Sequence, residues 1–148
     1  MARILNVISA VTPMGGTVTK LRALMKASRH QHYLYHPGYD DNRLEIEAEI
    51  PYYASIGVSA SYGIHNRNVW KHVQEIHRIV REHGIEIIHF YFHFENSFAP
   101  LLRLLHPKVK LIRSIVGFDK ELPLYRRTLV GVGLSAVPNY VFISQYIK

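Results

Sequence analysis

The chain has 148 residues, 48% of them hydrophobic and 20% charged, which suits one domain with a sizeable core. It contains no cysteine, so disulfides, thiolate zinc sites and a cysteine nucleophile are excluded. The formal net charge of +7 favours anionic partners, but no run of five Lys or Arg occurs and no nucleic-acid recognition module is visible, so no nucleic-acid partner is expected.

No stretch reaches the roughly 18 apolar residues of a membrane span. Met1-Ala2-Arg3 runs straight into an apolar segment interrupted by Asn6, too short for a signal-peptide core, so a cytoplasmic location is expected. Residues 4–9 are apolar and β-branched and read as a buried parallel strand. Gly15 and Gly16 follow, and Thr17 is the expected N-cap of a helix over 18–28. A strand, a glycine turn and a helix N-terminus make an anion site, because free N–H groups and the helix dipole point the same way. A tight turn that binds nothing fits the same residues. Val18, Leu21, Leu24 and Met25 have helical spacing with a basic outer face, which suits packing on a sheet or peripheral contact with an anionic membrane.

Residues 32–36 read as a second strand, closed by a turn at Pro37-Gly38. Leu44, Ile46, Ala48 and Ile50 alternate with Glu45, Glu47 and Glu49, which predicts a half-exposed strand ended by Pro51. Residues 52–63 are rich in Ser, Gly and Tyr, and part of this long segment is expected to be ordered. A strong helix is predicted over 66–83, capped by Asn66 or Asn68 and stopped by Gly84, with Val69, Val73, Ile76 and Val80 on one stripe widened by Trp70 and Ile79. A central strand over 85–93, a short helix over 97–105, a strand over 109–116, a helix over 121–134 and a last strand over 140–144 complete the pattern. Strands alternating with helices imply a Rossmann-like, doubly wound α/β fold: a mainly parallel sheet with helices on both faces, in one domain spanning 1–148. Ligands in such sheets bind at the carboxyl ends of the strands, which singles out 15–17, 89–95, 117–119 and Ser144.

Several motifs do not survive their context. Residues 131–136 match G-x-G-x-x-A, but what precedes them reads as helix and Pro138 blocks a following one. His89 and His93 lie on a predicted strand, roughly 13 Å apart at about 3.3 Å per residue, too far to share a metal ion. No P-loop and no nucleophile elbow occurs. Lys120, Arg126 and Arg127 form a small basic patch that could meet phosphate or simply be solvated.

Four stretches resemble a known family. They are the opening strand with Thr12-Pro13-Met14-Gly15-Gly16-Thr17, the run Ile85-Glu86-Ile87-Ile88-His89, the segment Ser114-Ile115-Val116-Gly117-Phe118-Asp119, and Val141-Phe142-Ile143-Ser144-Gln145-Tyr146-Ile147-Lys148. In order and spacing they are similar to the N-terminal domain of a GT-B glycosyltransferase of the family 4, group 1 kind. The resemblance implies one half of a GT-B fold. It implies retaining transfer of a sugar from a nucleotide-sugar to a glycan, lipid or small-molecule acceptor, with no metal and no cofactor beyond that co-substrate. Gly15, Gly16 and Thr17 would approach the donor diphosphate. His89, Tyr91 and His93 would line the acceptor side, and Gly117 and Asp119 would shape the adjacent loop. Tyr91 stands where the family has a second histidine, and Val116 where it often has one before the glycine. The domain that carries the nucleotide-sugar pocket is not in these residues, and a domain without the donor pocket is not expected to catalyse transfer alone. The alternative reading is a stand-alone α/β domain that binds a phosphorylated ligand at Gly15-Gly16.

Overall fold

A computed structural model describes residues 1–10, 16–92, 94–115, 131 and 135–142. Six strands form one sheet: β1 (Arg3–Val7), β2 (Gln31–Gly38), β3 (Ser59–Ile64), β4 (Ile87–Phe90), β5 (Lys110–Ile115) and β6 (Asn139–Phe142). Their order is β3-β2-β1-β4-β5-β6, and every neighbouring pair is parallel. Among the described residues four α-helices have given bounds: α1 (Gly16–Ala27), α2 (Arg43–Ser55), α3 (Val69–His83) and α4 (Ala99–Leu105). The doubly wound α/β fold expected from the alternation is therefore the fold observed.

Two apolar layers follow from the period of two along each strand. Leu5, Val7, Tyr33, Tyr35, Ile88, Phe90 and Leu111 face α3 and α4, where Val73, Ile76, Val80, Phe98 and Leu102 complete one core. Ile8, Leu34 and Tyr91 face α1 and α2, with Val18, Leu21, Met25 and Tyr53. Val18, Leu21 and Met25 of the apolar stripe of α1 are thus spent on the sheet, while Leu24 is exposed. No helix among the described residues is long and apolar enough to cross a membrane.

Helix α3 matches its expected signals. Asn68 accepts a hydrogen bond from Lys71 N at 3.1 Å, and Gly84 takes the left-handed conformation (φ 58°) that ends the helix. Trp70, expected to widen the buried stripe, is instead 56% exposed. Three other expectations change. Thr17 is not the N-cap, since α1 begins at Gly16. Pro37 and Gly38 continue β2 and pair with Gly63 and Ile64 rather than turning away. The alternating segment 44–50 is helix α2, not a strand. Ile46 and Tyr53 are its buried positions, Leu44 is exposed, and two of the glutamates that made the alternation have partners on helices. Glu47 pairs with Arg43 one turn back at 2.9 Å, and Glu49 pairs with Arg22 of α1. The strand in this region is β3, downstream of the helix. The helix expected over 121–134 lies outside the described residues, apart from Gly131, which is helical.

Candidate functional site at the carboxyl ends of β1 and β4

The sheet order reverses between β1 and β4. From β1 the chain winds outward through β2 and β3, then returns to place β4 on the other side of β1. The connections leaving β1 and β4 therefore diverge to opposite faces and open a crevice at their carboxyl ends, where ligands of such sheets bind. Ser9 and Ala10 leave β1 at this point, Gly16 opens α1, and Tyr91 and Phe92 leave β4. A Cβ built on Gly16 would meet no described atom within 4 Å, so there is room for a side chain at the start of α1. The first turn of α1 has no acidic residue to oppose an anion.

The exit of β1 is held from both sides. Ile8 N donates to Tyr35 O at 3.2 Å, and the next rung of a parallel ladder would run from residue 37 N–H to Ile8 O. Residue 37 is proline and has no N–H to give. His36 supplies the missing donor, with Nδ1 at 2.8 Å from Ile8 O. Its other nitrogen, Nε2, is buried without a hydrogen-bond partner. A charged ring there would strand a buried N–H. Burial pushes the pKa of His36 down to about 4, against the Ile8 bond that raises it and with the Arg22 charge adding to the drop. From the other side, Glu95 accepts a hydrogen bond from Ser9 N at 2.6 Å. Glu95 begins a 3-10 turn after β4 and is fully buried.

His89 and Tyr91 belong to a buried hydrogen-bonded chain beside this crevice. Ser114 Oγ lies 2.8 Å from His89 Nε2, and His89 Nδ1 lies 3.0 Å from the Tyr91 hydroxyl. That hydroxyl donates to Asn6 Oδ1 at 3.2 Å. Asn6 Nδ2 reaches His32 Nδ1 at 3.1 Å and Tyr33 O at 3.2 Å. The chain crosses β5, β4, β1 and β2. Its polarity follows from the donors. Tyr91 spends its one proton on Asn6, so His89 donates through Nδ1 and accepts the Ser114 proton at Nε2. Asn6 can only donate to His32 Nδ1, which puts the His32 proton on Nε2, a buried atom with no hydrogen-bond partner. Both rings are neutral in this arrangement. Burial, then the His32 charge, lowers His89 to about 4, and burial, then His30, lowers His32. A ring with that pKa is a weak base at neutral pH. His89 therefore joins β4 to β5 through Ser114.

Of the residues singled out from sequence, Gly16, Thr17, His89 and Tyr91 lie near this edge, while Gly15, His93, Gly117, Asp119 and Ser144 lie outside the described residues. So do Val116 and the basic patch at 120, 126 and 127. Asn6, His32, His36 and Arg113 were not anticipated as parts of the site. His36 could have been found, because a proline inside a paired strand leaves a carbonyl that some other donor must satisfy. Among the described residues no cluster of three His, Asp or Glu could hold a metal ion. Gly131 and Ser135 are helical and lead into β6, so the G-x-G-x-x-A match precedes a strand where the dinucleotide motif would follow one.

No protein-family model matches the chain, and no curated protein does. Among solved structures, the fold is similar to AtPrR2 in apo form (TM-score 0.60, 12% identity, covering 96% of this chain and 47% of that one). It is similar to a structure of the pinoresinol-lariciresinol and phenylcoumaran benzylic ether reductases (TM-score 0.62, 10% identity, 95% and 48%). It is also similar to AtPrR2 with NADP+ and (+)pinoresinol (TM-score 0.57, 9% identity, 95% and 48%). The chain spans about half the length of these proteins. At such identities the likeness shows the fold.

These neighbours overturn the resemblance to a GT-B glycosyltransferase, since none of them is one. The retaining sugar transfer, the nucleotide-sugar donor, the glycan, lipid or small-molecule acceptor, and the absence of a cofactor all fall with it. The physical reason is that the quoted stretches, where they are described, lie on the parallel strands β1, β4, β5 and β6. Any doubly wound sheet supplies those in the same order.

Proposed function

We propose that the chain is a nucleotide-binding domain of reductase type, taking a cofactor of the NAD(P) class in the crevice between the carboxyl ends of β1 and β4. The observation that carries this reading is the strand order, with its reversal between β1 and β4 beside the start of α1 at Gly16. One of the solved structures with this fold contains NADP+, which favours a dinucleotide over a smaller anion.

The chain would bind such a ligand without the usual fingerprint. The glycines G-x-G-x-x-G that normally follow the first strand are absent, since Ser9 and Ala10 leave β1 and the first glycines are Gly15 and Gly16. Strand β2 itself carries no carboxylate at its end, where His36, Pro37 and Gly38 stand, and Asp40 and Asp41, just beyond it, are the carboxylates available to a ribose. The phosphates would meet backbone N–H groups at the start of α1, and the base would lie toward β2 and β3.

The test is a titration of the chain with NADPH, followed by the cofactor's fluorescence, with NADP+, NAD+ and ADP as competitors. Saturable binding in the micromolar range, displaced by at least one of the three, is the expected result. Absence of saturable binding by every one of these nucleotides would refute the reading.

A further inference from the structure

Glu95 is a fully buried carboxylate that no motif required and that neither core explains. Its position relative to three strands is informative. It follows β4, the strand that lies between β1 and β5 in the sheet. On one side its Oε1 holds Ser9 N, the first backbone donor beyond the end of β1, Ile8 N being still bonded to β2. On the other side of β4 lies β5, whose Arg113 is itself 4% exposed. The Glu95 side chain therefore ties the segment after β4 to the exit of β1, at the strand reversal where the crevice opens.

A carboxylate held this way restricts one thing above all, the direction in which the chain leaves β1. Ile8 is still in the ladder, bonded to Tyr35, and its carbonyl is fixed by His36. Ser9 is the next residue, and Glu95 takes its N–H. Beyond it the chain is no longer part of the sheet. A charge-assisted bond to a backbone N–H is among the stronger single constraints available to a loop. Burial raises the pKa of Glu95, while hydrogen bonds from Ser9, its own backbone and Phe92 oppose that rise. The carboxylate keeps one oxygen, Oε2, without a hydrogen-bond partner.

We propose that Glu95 is a positioning residue for the crevice: by holding Ser9 N–H it fixes where the chain leaves β1, and nucleotide affinity depends on that hydrogen bond. The proposal rests on the nucleotide-binding reading for its second half and on geometry alone for its first.

The experiment compares Glu95→Gln and Glu95→Ala with the wild-type chain by two readouts. Glutamine keeps an acceptor oxygen; alanine removes it. The first readout needs no ligand: the NMR shift and hydrogen-exchange rate of the Ser9 amide. The wild-type amide is expected to be shifted downfield and protected, Glu95→Gln to retain most of the protection, and Glu95→Ala to exchange at least roughly tenfold faster, the size of one such bond. The second readout is the NADPH dissociation constant. It is expected to stay within about threefold in Glu95→Gln and to rise at least roughly tenfold in Glu95→Ala. Glutamine rescue separates positioning from bulk destabilisation, and should Glu95→Ala not fold, Glu95→Gln against wild type still reads the Ser9 amide. An unprotected Ser9 amide in the wild type, or wild-type affinity in a folded Glu95→Ala, would overturn the proposal. If the wild-type chain binds no nucleotide, the functional reading fails by itself, and the role of Glu95 is decided by the Ser9 amide.

Discussion

Replacing Tyr91 by phenylalanine removes one oxygen from the middle of the buried chain that joins β5, β4, β1 and β2. That oxygen makes two hydrogen bonds, accepting from His89 at 3.0 Å and donating to Asn6 at 3.2 Å. The ring itself is 5% exposed and packs with Ile8, Val18 and Leu21, so the apolar contacts survive the change. What is lost is the pairing of two buried polar groups, His89 Nδ1–H and Asn6 Oδ1. Each orphaned group costs about 1–3 kcal/mol, so Tyr91→Phe is expected to lower stability by roughly 2–6 kcal/mol. In a chain of this size that corresponds to a fall in Tm of about 4–24 °C. Urea unfolding followed by circular dichroism measures the loss. The double variant with Asn6→Leu tests its origin, because two residues sharing one bond should couple by about 1 kcal/mol or more. A loss below about 0.5 kcal/mol for Tyr91→Phe, of the size typical of a surface change, would refute the buried network.

Three further outcomes follow. Gly16→Ala meets no described atom within 4 Å and fills a helical position better than glycine, so stability should hold or rise by up to about 1 kcal/mol; if phosphate approaches that backbone, NADPH affinity should nevertheless fall at least tenfold, and unchanged affinity would move the phosphate elsewhere. His36 and His89 have folded pKa values of about 4 against 6.5 for an exposed ring, so the folded state binds fewer protons between those values. Their contribution is complete above about pH 6.5 and is lost as pH falls toward 4, by roughly 3 kcal/mol per ring, while the raised pKa of Glu95 works in the opposite sense and softens the slope; unfolding midpoints measured across that range should fall with acid, and a flat profile would contradict the neutral buried rings. Gly84→Ala places a side chain at φ 58° within 3.0 Å of the Arg3 guanidinium and should cost about 1 kcal/mol in thermal unfolding, whereas Gly84→Asn should cost less.

The parts of the fold that were legible are those whose residues have one physical solution. The apolar runs of β1, β4 and β5 fit only buried strands, and α3 announces itself by its stripe, by Asn68 and by Gly84. Helix α2 did not. Over residues 44–50, alternation of apolar and acidic side chains fits a strand, while Ile46 and Tyr53 seven positions apart fit a helix equally well. Only the partners of the glutamates, Arg43, Tyr62 and Arg22, decide between them. The site was legible as an edge and not as a set of roles. The rule that ligands meet the carboxyl ends of strands led to Tyr91 and to the segment ending at Glu95. It could not show that the His89 ring is neutral and bonded to Ser114, because that depends on which strands become neighbours. Asn6 looked like an interruption in an apolar strand, yet it is the link between both histidines. The family resemblance failed for a related reason: it rested on strand ends, which folds of this class share, and not on a constellation of side chains peculiar to one chemistry.

The most direct test of the central claim is the NADPH titration of the wild-type chain beside Gly16→Ala. Saturable binding by the wild type, competed by a nucleotide and weakened at least tenfold in a Gly16→Ala variant of undiminished stability, is the predicted result. No saturable binding by the wild type would contradict nucleotide recognition at the β1 and β4 ends.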